Sequence, residues 1–205
     1  MSLNTFLLNL PFQLLRMKYS FILLITVLFL SSCNRKTELK KEFSCQSSSI
    51  LGTTEKVMDF KEGFSVDIPK KWKSSLYYDE RQSEIFCADT IKTIDQTYLM
   101  EFAWIEGKIS VDPAFQKQVQ VLTTEKELQL VQDGFVDFDT YKGYYHLGKS
   151  THKDMEINVF QYYIQIDKEH YLLVKTDIYG SEKITERLCE SIQLIESIQF
   201  IKDKK

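Results

Sequence analysis

Between Phe64 and Tyr179 the chain returns again and again to short segments in which apolar and polar residues alternate, and a period of two marks half-buried β-strands. The first, Phe64-Ser65-Val66-Asp67-Ile68, is stopped by Pro69 and followed by Trp72 at the turn. Further strands are predicted over 84–89, 97–105, 135–138, 143–150, 155–166 and 171–179, the last two separated by Asp167-Lys168-Glu169-His170 as a hairpin loop would separate them. In the segment from Met155, residues Met155, Ile157 and Val159 share one parity and Phe160, Tyr162, Ile164 and Ile166 the other, which requires a bulge near Val159-Phe160 or burial on both faces. Only 7 glycines and 3 prolines stand against 14 phenylalanines and 11 tyrosines, a balance that favours long strands over loops.

Two helices punctuate the strands. Asp112-Pro113 supplies an acidic N-cap followed by proline at the first helical position, with Phe115, Val119 and Leu122 as the apolar stripe. Thr124 and Glu127 could start a second short helix as a capping box, while Leu128 and Leu130 could alternate in a strand. After Gly180-Ser181, the residues Ile184, Leu188, Ile192 and Ile195 recur at the spacing of one buried helical face that packs on the sheet, with Trp72 in the same core. The expected fold is therefore α+β, an antiparallel β-sheet flanked by helices, over residues 59–200.

A second feature decides where the chain folds. Met17-Lys18-Tyr19-Ser20 precedes an apolar run from Phe21 to Leu30 broken only by Thr26, and Leu30-Ser31-Ser32-Cys33 follows at once. This is the order of a bacterial lipoprotein signal: a positive start, a short apolar stretch, small residues that admit a peptidase, and a cysteine whose thiol takes a diacylglycerol. The run is ten residues long, half of the roughly 20 a helix needs to cross the hydrocarbon core. A secretory leader that merely ends in a cysteine is the competing reading. Residues 1–16 stand ahead of a signal already complete, so Met17 is the expected start. Fatty chains such as palmitate, at about 0.8 kcal/mol per buried methylene, would hold everything after Cys33 on a membrane, in the cell envelope on its periplasmic side or at the cell surface.

Residues 34–58 are mixed in charge, then rich in Ser and Thr, without sustained periodicity, and are expected to form a flexible tether. Their basic start, Arg35, Lys36, Lys40 and Lys41, is solvated or rests on anionic head groups. Residues 201–205 form a tail. The net charge is −3, and Arg16 and Lys18 fall in the leader, so the remainder is more acidic still and has no electrostatic reason to bind nucleic acid.

The segment Gly63-Phe64-Ser65-Val66-Asp67-Ile68-Pro69-Lys70-Lys71-Trp72 resembles the strand, proline, two residues, tryptophan entry of PsbP-like domains, and residues 192–200 with Ser197 resemble their closing helix. The resemblance implies a PsbP-like α/β/α sandwich. That family includes photosynthetic accessory subunits and many bacterial lipoproteins, and it offers no shared catalytic constellation to transfer.

Chemistry-bearing residues are few. With Cys33 lipidated, Cys45, Cys87 and Cys189 remain, an odd count; an oxidising envelope permits one disulfide among them, and Cys87 and Cys189 are expected to be buried and free. The absence of a CxxC motif argues against a thioredoxin-like site or a zinc cage. His146, His152 and His170 show no spacing toward a thiol, and His146 and His152 with Asp154 and Glu156 lack a ligand pattern that would fix a metal on one face. Asp137 and Asp139, two apart, are predicted to share a strand side, the minimum for paired acid/base work. The pairs Tyr77-Tyr78, Tyr144-Tyr145 and Tyr162-Tyr163 each place one ring on either strand face, one core and one exposed, and exposed rings can stack on a glycan or a partner protein. The expected function is a lipid-anchored, non-catalytic binding or assembly module without cofactor or metal, its partner an envelope protein or a glycan. The alternative is an envelope hydrolase using Asp137 or Asp139.

Overall fold

The computed structural model describes residues 37–46, 51–152 and 155–201. Cys33 and the leader, Asp154 and the tail beyond Ile201 lie outside them. In chain order the described elements are α1 (Leu39–Glu42), β1 (Thr54–Met58), β2 (Phe64–Pro69), β3 (Lys73–Tyr78), β4 (Gln82–Ala88), β5 (Tyr98–Glu106), α2 (Pro113–Glu125), β6 (Gln129–Phe135), β7 (Lys142–His152), β8 (Met155–Gln165), β9 (His170–Tyr179), α3 (Ile184–Glu196) and β10 (Gln199–Phe200).

Seven strands form one antiparallel sheet in the order β3-β4-β5-β9-β8-β7-β6, and a second sheet orders as β1-β2-β10. One face of the large sheet sends Ile85, Met100, Phe102, Tyr145, Phe160, Tyr162, Val174 and Ile178 into a core closed by Phe64 and Val66 of β2 and by Leu188, Ile192 and Ile195 of α3. Each such side chain contributes roughly 1.5–3 kcal/mol on burial. The other face is roofed only partly: α2 seats Val119 and Phe115 over Tyr144 and Tyr163, on the β7 and β8 side. The fold is α+β, as the alternation and helix signals indicated.

Local chemistry explains the helix positions. The Asp112 carboxylate accepts the N–H groups of Ala114 and Phe115, each at 2.9 Å, and Pro113 opens α2. The helix runs to Glu125 and no second helix follows; Glu127 turns at φ 57° and the chain enters β6, so Leu128 and Leu130 resolve in favour of the strand. The end of α3 is tied to β2 by Ser197, whose hydroxyl accepts the N–H of Asp67 at 2.9 Å and donates to the Leu194 carbonyl at 2.7 Å.

Three expectations need correction, and one open choice is resolved. The tether predicted over 34–58 is part of the fold along 37–46 and 54–58: Leu39 is fully buried, Thr37 bridges to Phe138, and β1 pairs with β2. Cys189 is not free but joined to Cys45. The segment 135–138 is not a strand; β6 ends at Phe135 and a turn through Asp139, at φ 54°, follows. The register of β8 runs unbroken through Val159 and Phe160 against both neighbours, so burial on both faces, not a bulge, resolves its parity conflict. The bulge lies instead in β6, between Leu130 and Gln132. Trp72 sits half-buried at the margin of the core, edge-on to Tyr98 at 5.1 Å.

Candidate functional site

The largest exposed aromatic group lies along the outer edge of the large sheet. Among the described residues β3 pairs with β4 alone, and all six of its residues are exposed. Tyr77 and Tyr78 are 56% and 59% exposed, Phe60 beside them 56%, Leu76 44% and Phe86 36%. The ring of Phe60 stacks on Tyr78 with centroids 3.9 Å apart and planes 4° from parallel, and Tyr77 meets Phe86 edge-on at 5.5 Å.

Phe60 reaches the edge because its loop is clamped. Asp59 is buried, and its carboxylate accepts the N–H of Phe64 at 2.8 Å and of Lys61 at 3.0 Å. The loop then closes on Gly63, where a Cβ would come within 2.9 Å of the Trp104 indole. At the far end of β3, Asp79 accepts the N–H groups of Arg81 and Gln82 in the hairpin to β4. Those two N–H groups, with Lys61 and Arg81 nearby, hold its carboxyl below the ordinary value and keep it anionic. Lys70, Lys71 and Lys73 stand exposed at the opposite end.

A second feature lies under α2. Val119, Leu122, Thr123, Leu128, Val159 and Tyr163 line a cleft of about 200 Å³ with Lys126, Gln161 and Lys175 also on its walls, smaller than the roughly 300–1,000 Å³ usual for ligand pockets. Beneath it His146 is fully buried and its Nε2 lies 2.9 Å from the Thr123 hydroxyl. That hydroxyl gives its proton to the Val119 carbonyl at 2.7 Å, so it accepts from Nε2–H and the ring's Nδ1 carries the lone pair. Asp133 pairs across from His146 in the sheet, yet Nδ1 has no hydrogen-bond partner among the described residues. One carboxylate oxygen of Asp133 accepts instead from Gln116 and Gln120, each at 2.9 Å, and from the Tyr144 hydroxyl at 2.7 Å. Threonine, histidine and aspartate thus lie in triad order, but the carboxylate does not orient the imidazole and the threonine hydroxyl is committed to its own helix; the group is the polar floor that seats α2.

The sequence-derived candidates scatter. Asp137 accepts the N–H of Gly143 at 3.3 Å and Asp139 lies in the turn, so they share no strand face. Tyr144 and Tyr145 are both buried and Tyr77 and Tyr78 both exposed, which corrects the expectation of one core and one exposed ring per pair; Tyr162 and Tyr163 are buried and half-buried. His170 contacts the Asp167 carboxylate at 3.0 Å within the hairpin loop, and His152 is exposed at the end of β7. Cys87 is buried, and burial pushes its thiol up to about 12. Among the described residues no group of three or more His, Cys, Asp or Glu side chains is placed to hold a metal ion, and no helix is long and apolar enough to cross a membrane.

Arg187 was not anticipated. It is buried on α3 and donates to the carbonyls of Thr97 at 2.8 Å and Tyr179 at 2.6 Å, and to that of Glu182. An arginine among the apolar residues of a helical stripe was the only available signal, and it marks a strut between α3 and the ends of β5 and β9.

No family model and no curated protein matches the chain. Solved structures of similar shape include a Pseudomonas aeruginosa protein of unknown function (10% identity, 75% of this chain and 100% of that one, TM-score 0.48). A Bacteroides thetaiotaomicron protein aligns over 75% of this chain at 12% identity and TM-score 0.44, and this chain spans about half of it, 51%. LpqN of Mycobacterium tuberculosis, described as involved in cell envelope biogenesis, aligns at 16% identity over 73% of this chain and 91% of its own, TM-score 0.45. At these values none of the three bears on what this chain does.

Proposed function

We propose that the chain is an envelope lipoprotein, held to a membrane through Cys33, whose PsbP-like α+β domain is a non-catalytic binding or assembly module. The observation that carries the binding half is the β3 edge, unpaired among the described residues, with Phe60, Leu76, Tyr77 and Tyr78 exposed along it; exposed aromatics grouped at one edge are a mark of interaction surfaces. The Cys45–Cys189 disulfide supports the location, since such bonds persist outside the reducing cytoplasm.

Mass spectrometry of the mature N-terminus tests the anchor. A diacylated Cys33 is expected, and Cys33→Ser should release the protein from membranes. An unmodified cysteine, or a serine variant that still sediments with the membrane, refutes it. For the module, Tyr78→Ala should reduce recovery of the envelope partner while the domain still folds. Turnover of a defined envelope polymer that survives this variant and vanishes in Asp137→Asn would replace binding with hydrolysis.

A further inference from the structure

The geometry points to a second copy of this chain as the partner of the β3 edge, joined strand to strand about a twofold axis. The inference rests on reading that edge as the binding surface, and it follows from hydrogen-bond parity. Asp79 donates its N–H to the Gln82 carbonyl at 3.0 Å, and β3 and β4 then pair in continuous antiparallel register, Tyr77 with Glu84 and Ser75 with Phe86. In such a ladder alternate pairs exchange the bonds. Ser74, Leu76 and Tyr78 therefore turn their N–H and C=O groups away from β4, to an edge with no neighbour among the described residues.

Antiparallel self-pairing must set outward residues against outward residues. The register that uses all three places Leu76 against the partner's Leu76 and Ser74 against the partner's Tyr78, each pair exchanging two backbone bonds. The same register puts Lys73 opposite the partner's Asp79, on the same side of the sheet at both ends. Carried past the strand, the same register brings Lys71 level with the partner's Arg81, so the charge match rests on the Lys73–Asp79 pair, which the twofold makes twice. A strand basic at one end and acidic at the other is complementary to its own antiparallel copy. An unrelated strand has no such reason to match. Among the described residues β3 has no bulge, no proline within the strand and no covering element, and Lys73 is its one charged side chain.

A twofold through a continuous antiparallel sheet stands perpendicular to it, so both copies present the same face to the same side. α1 lies on the α3 side, joined by the Cys45–Cys189 bond and by the Lys40–Glu196 ion pair. The α1 helices of the two copies thus lie on one side of the pair, as two lipidated chains on one bilayer would require.

Cysteine cross-linking of the full chain in its membrane decides the matter. Opposed Leu76 positions would have Cα atoms about 5.5 Å apart, inside the range for a disulfide. Ser74, also exposed and of the same parity, would lie four residues, about 13 Å, from its own copy. With Cys87, which faces Ser74 across the β3–β4 register, replaced by alanine in both variants, Leu76→Cys is expected to give a covalent dimer under mild oxidation and Ser74→Cys at least about tenfold less; equal cross-linking at both, or none at Leu76→Cys, overturns the proposal. Leu76→Pro removes an N–H that the monomer does not use, so it should melt like the wild type yet sediment as a single copy. If Leu76→Cys stays uncross-linked while Tyr78→Ala still abolishes recovery of a different envelope protein, self-pairing falls and the assembly reading survives; if neither variant has an effect, both fall.

Discussion

The large sheet ends in two edges that the molecule treats in opposite ways. β6 is interrupted by a bulge between Leu130 and Gln132, is packed by α2 through Asp133, and is tied to α1 where Gln132 and the Tyr145 hydroxyl donate to Glu42 at 3.1 and 2.7 Å. β3 is unbulged, is covered by no described element and is lined with exposed aromatics. An unpaired strand is a template for association, and proteins spend sequence to block it. Among the described residues that protection is concentrated at β6, and the proposed pairing at β3 rests on this contrast.

The protected edge should break hardest when its outer cover is cut loose. The Cys45–Cys189 bond closes a span of 144 residues and fixes α1 beside β6 and β7. Replacing both cysteines with serine should cost about 2–5 kcal/mol, read by denaturant melting, with amide exchange rising in β6 and β7 before β3. Melting like that of the wild type would mean that α1 is not part of the protection. Asp133→Leu comes next. It leaves Gln116, Gln120 and the Tyr144 hydroxyl without their shared acceptor, and about 1–3 kcal/mol should be lost, with α2 loosening first; unchanged exchange in α2 would contradict the role given to that carboxylate.

How much of this contrast could be read in advance varies from residue to residue. Asp112-Pro113 and the Ile184, Leu188, Ile192, Ile195 stripe specify their helices locally, because capping and helical periodicity are short-range. β3 escaped notice because Lys73-Ser74-Ser75-Leu76-Tyr77-Tyr78 lacks alternation: a strand exposed throughout has no buried face to impose it. The residues 37–46 looked like a linker because their anchorage is long-range, one disulfide and Leu39 set into a core assembled from the far end of the chain. Tyr144 and Tyr145 are both buried because α2 roofs one face and α3 with the small sheet fills the other, and a tyrosine pair carries no mark of that. The aromatic edge depends on Phe60 and Tyr78, far apart in kind of segment, being brought together by the clamp of Asp59.

Acidity should act on the β6 side of the sheet in two distinct windows. Burial pushes the His146 imidazole below its ordinary value, partly offset by the nearby Asp133 charge. The unfolded chain therefore takes up this proton first as pH falls through about 6.5. Stability declines from there until the folded ring itself protonates, with a slope of at most about 1.4 kcal/mol per pH unit. Burial draws the Asp133 carboxyl up, but donation from Gln116, Tyr144 and Gln120 outweighs it and leaves the group below 3.8. Its contribution is present above that value and lost as pH falls through the lower folded one, a separate and more acidic window. His146→Asn should flatten the near-neutral decline and leave the acidic one; a decline unchanged in this variant would assign the near-neutral titration elsewhere.

The smallest expected change in stability belongs to the bare edge, and it is the one that defines the contrast. Phe60 and Tyr78 are stacked on each other, but both rings remain more than half exposed and neither fills the core. Truncation therefore removes little apolar surface from water-excluded contact, and Phe60→Ala or Tyr78→Ala should shift unfolding by no more than about 0.5 kcal/mol, the range of ordinary surface substitutions. A double-mutant cycle should return a coupling of similar size. If the stack were a structural brace for the 59–63 loop, Phe60→Ala would instead disturb the Asp59 clamp and raise exchange at the Phe64 amide that Asp59 holds. Such a rise would make β3 a second protected edge, whereas near-silence in folding joined to loss of association leaves it as the surface through which the molecule meets its partner.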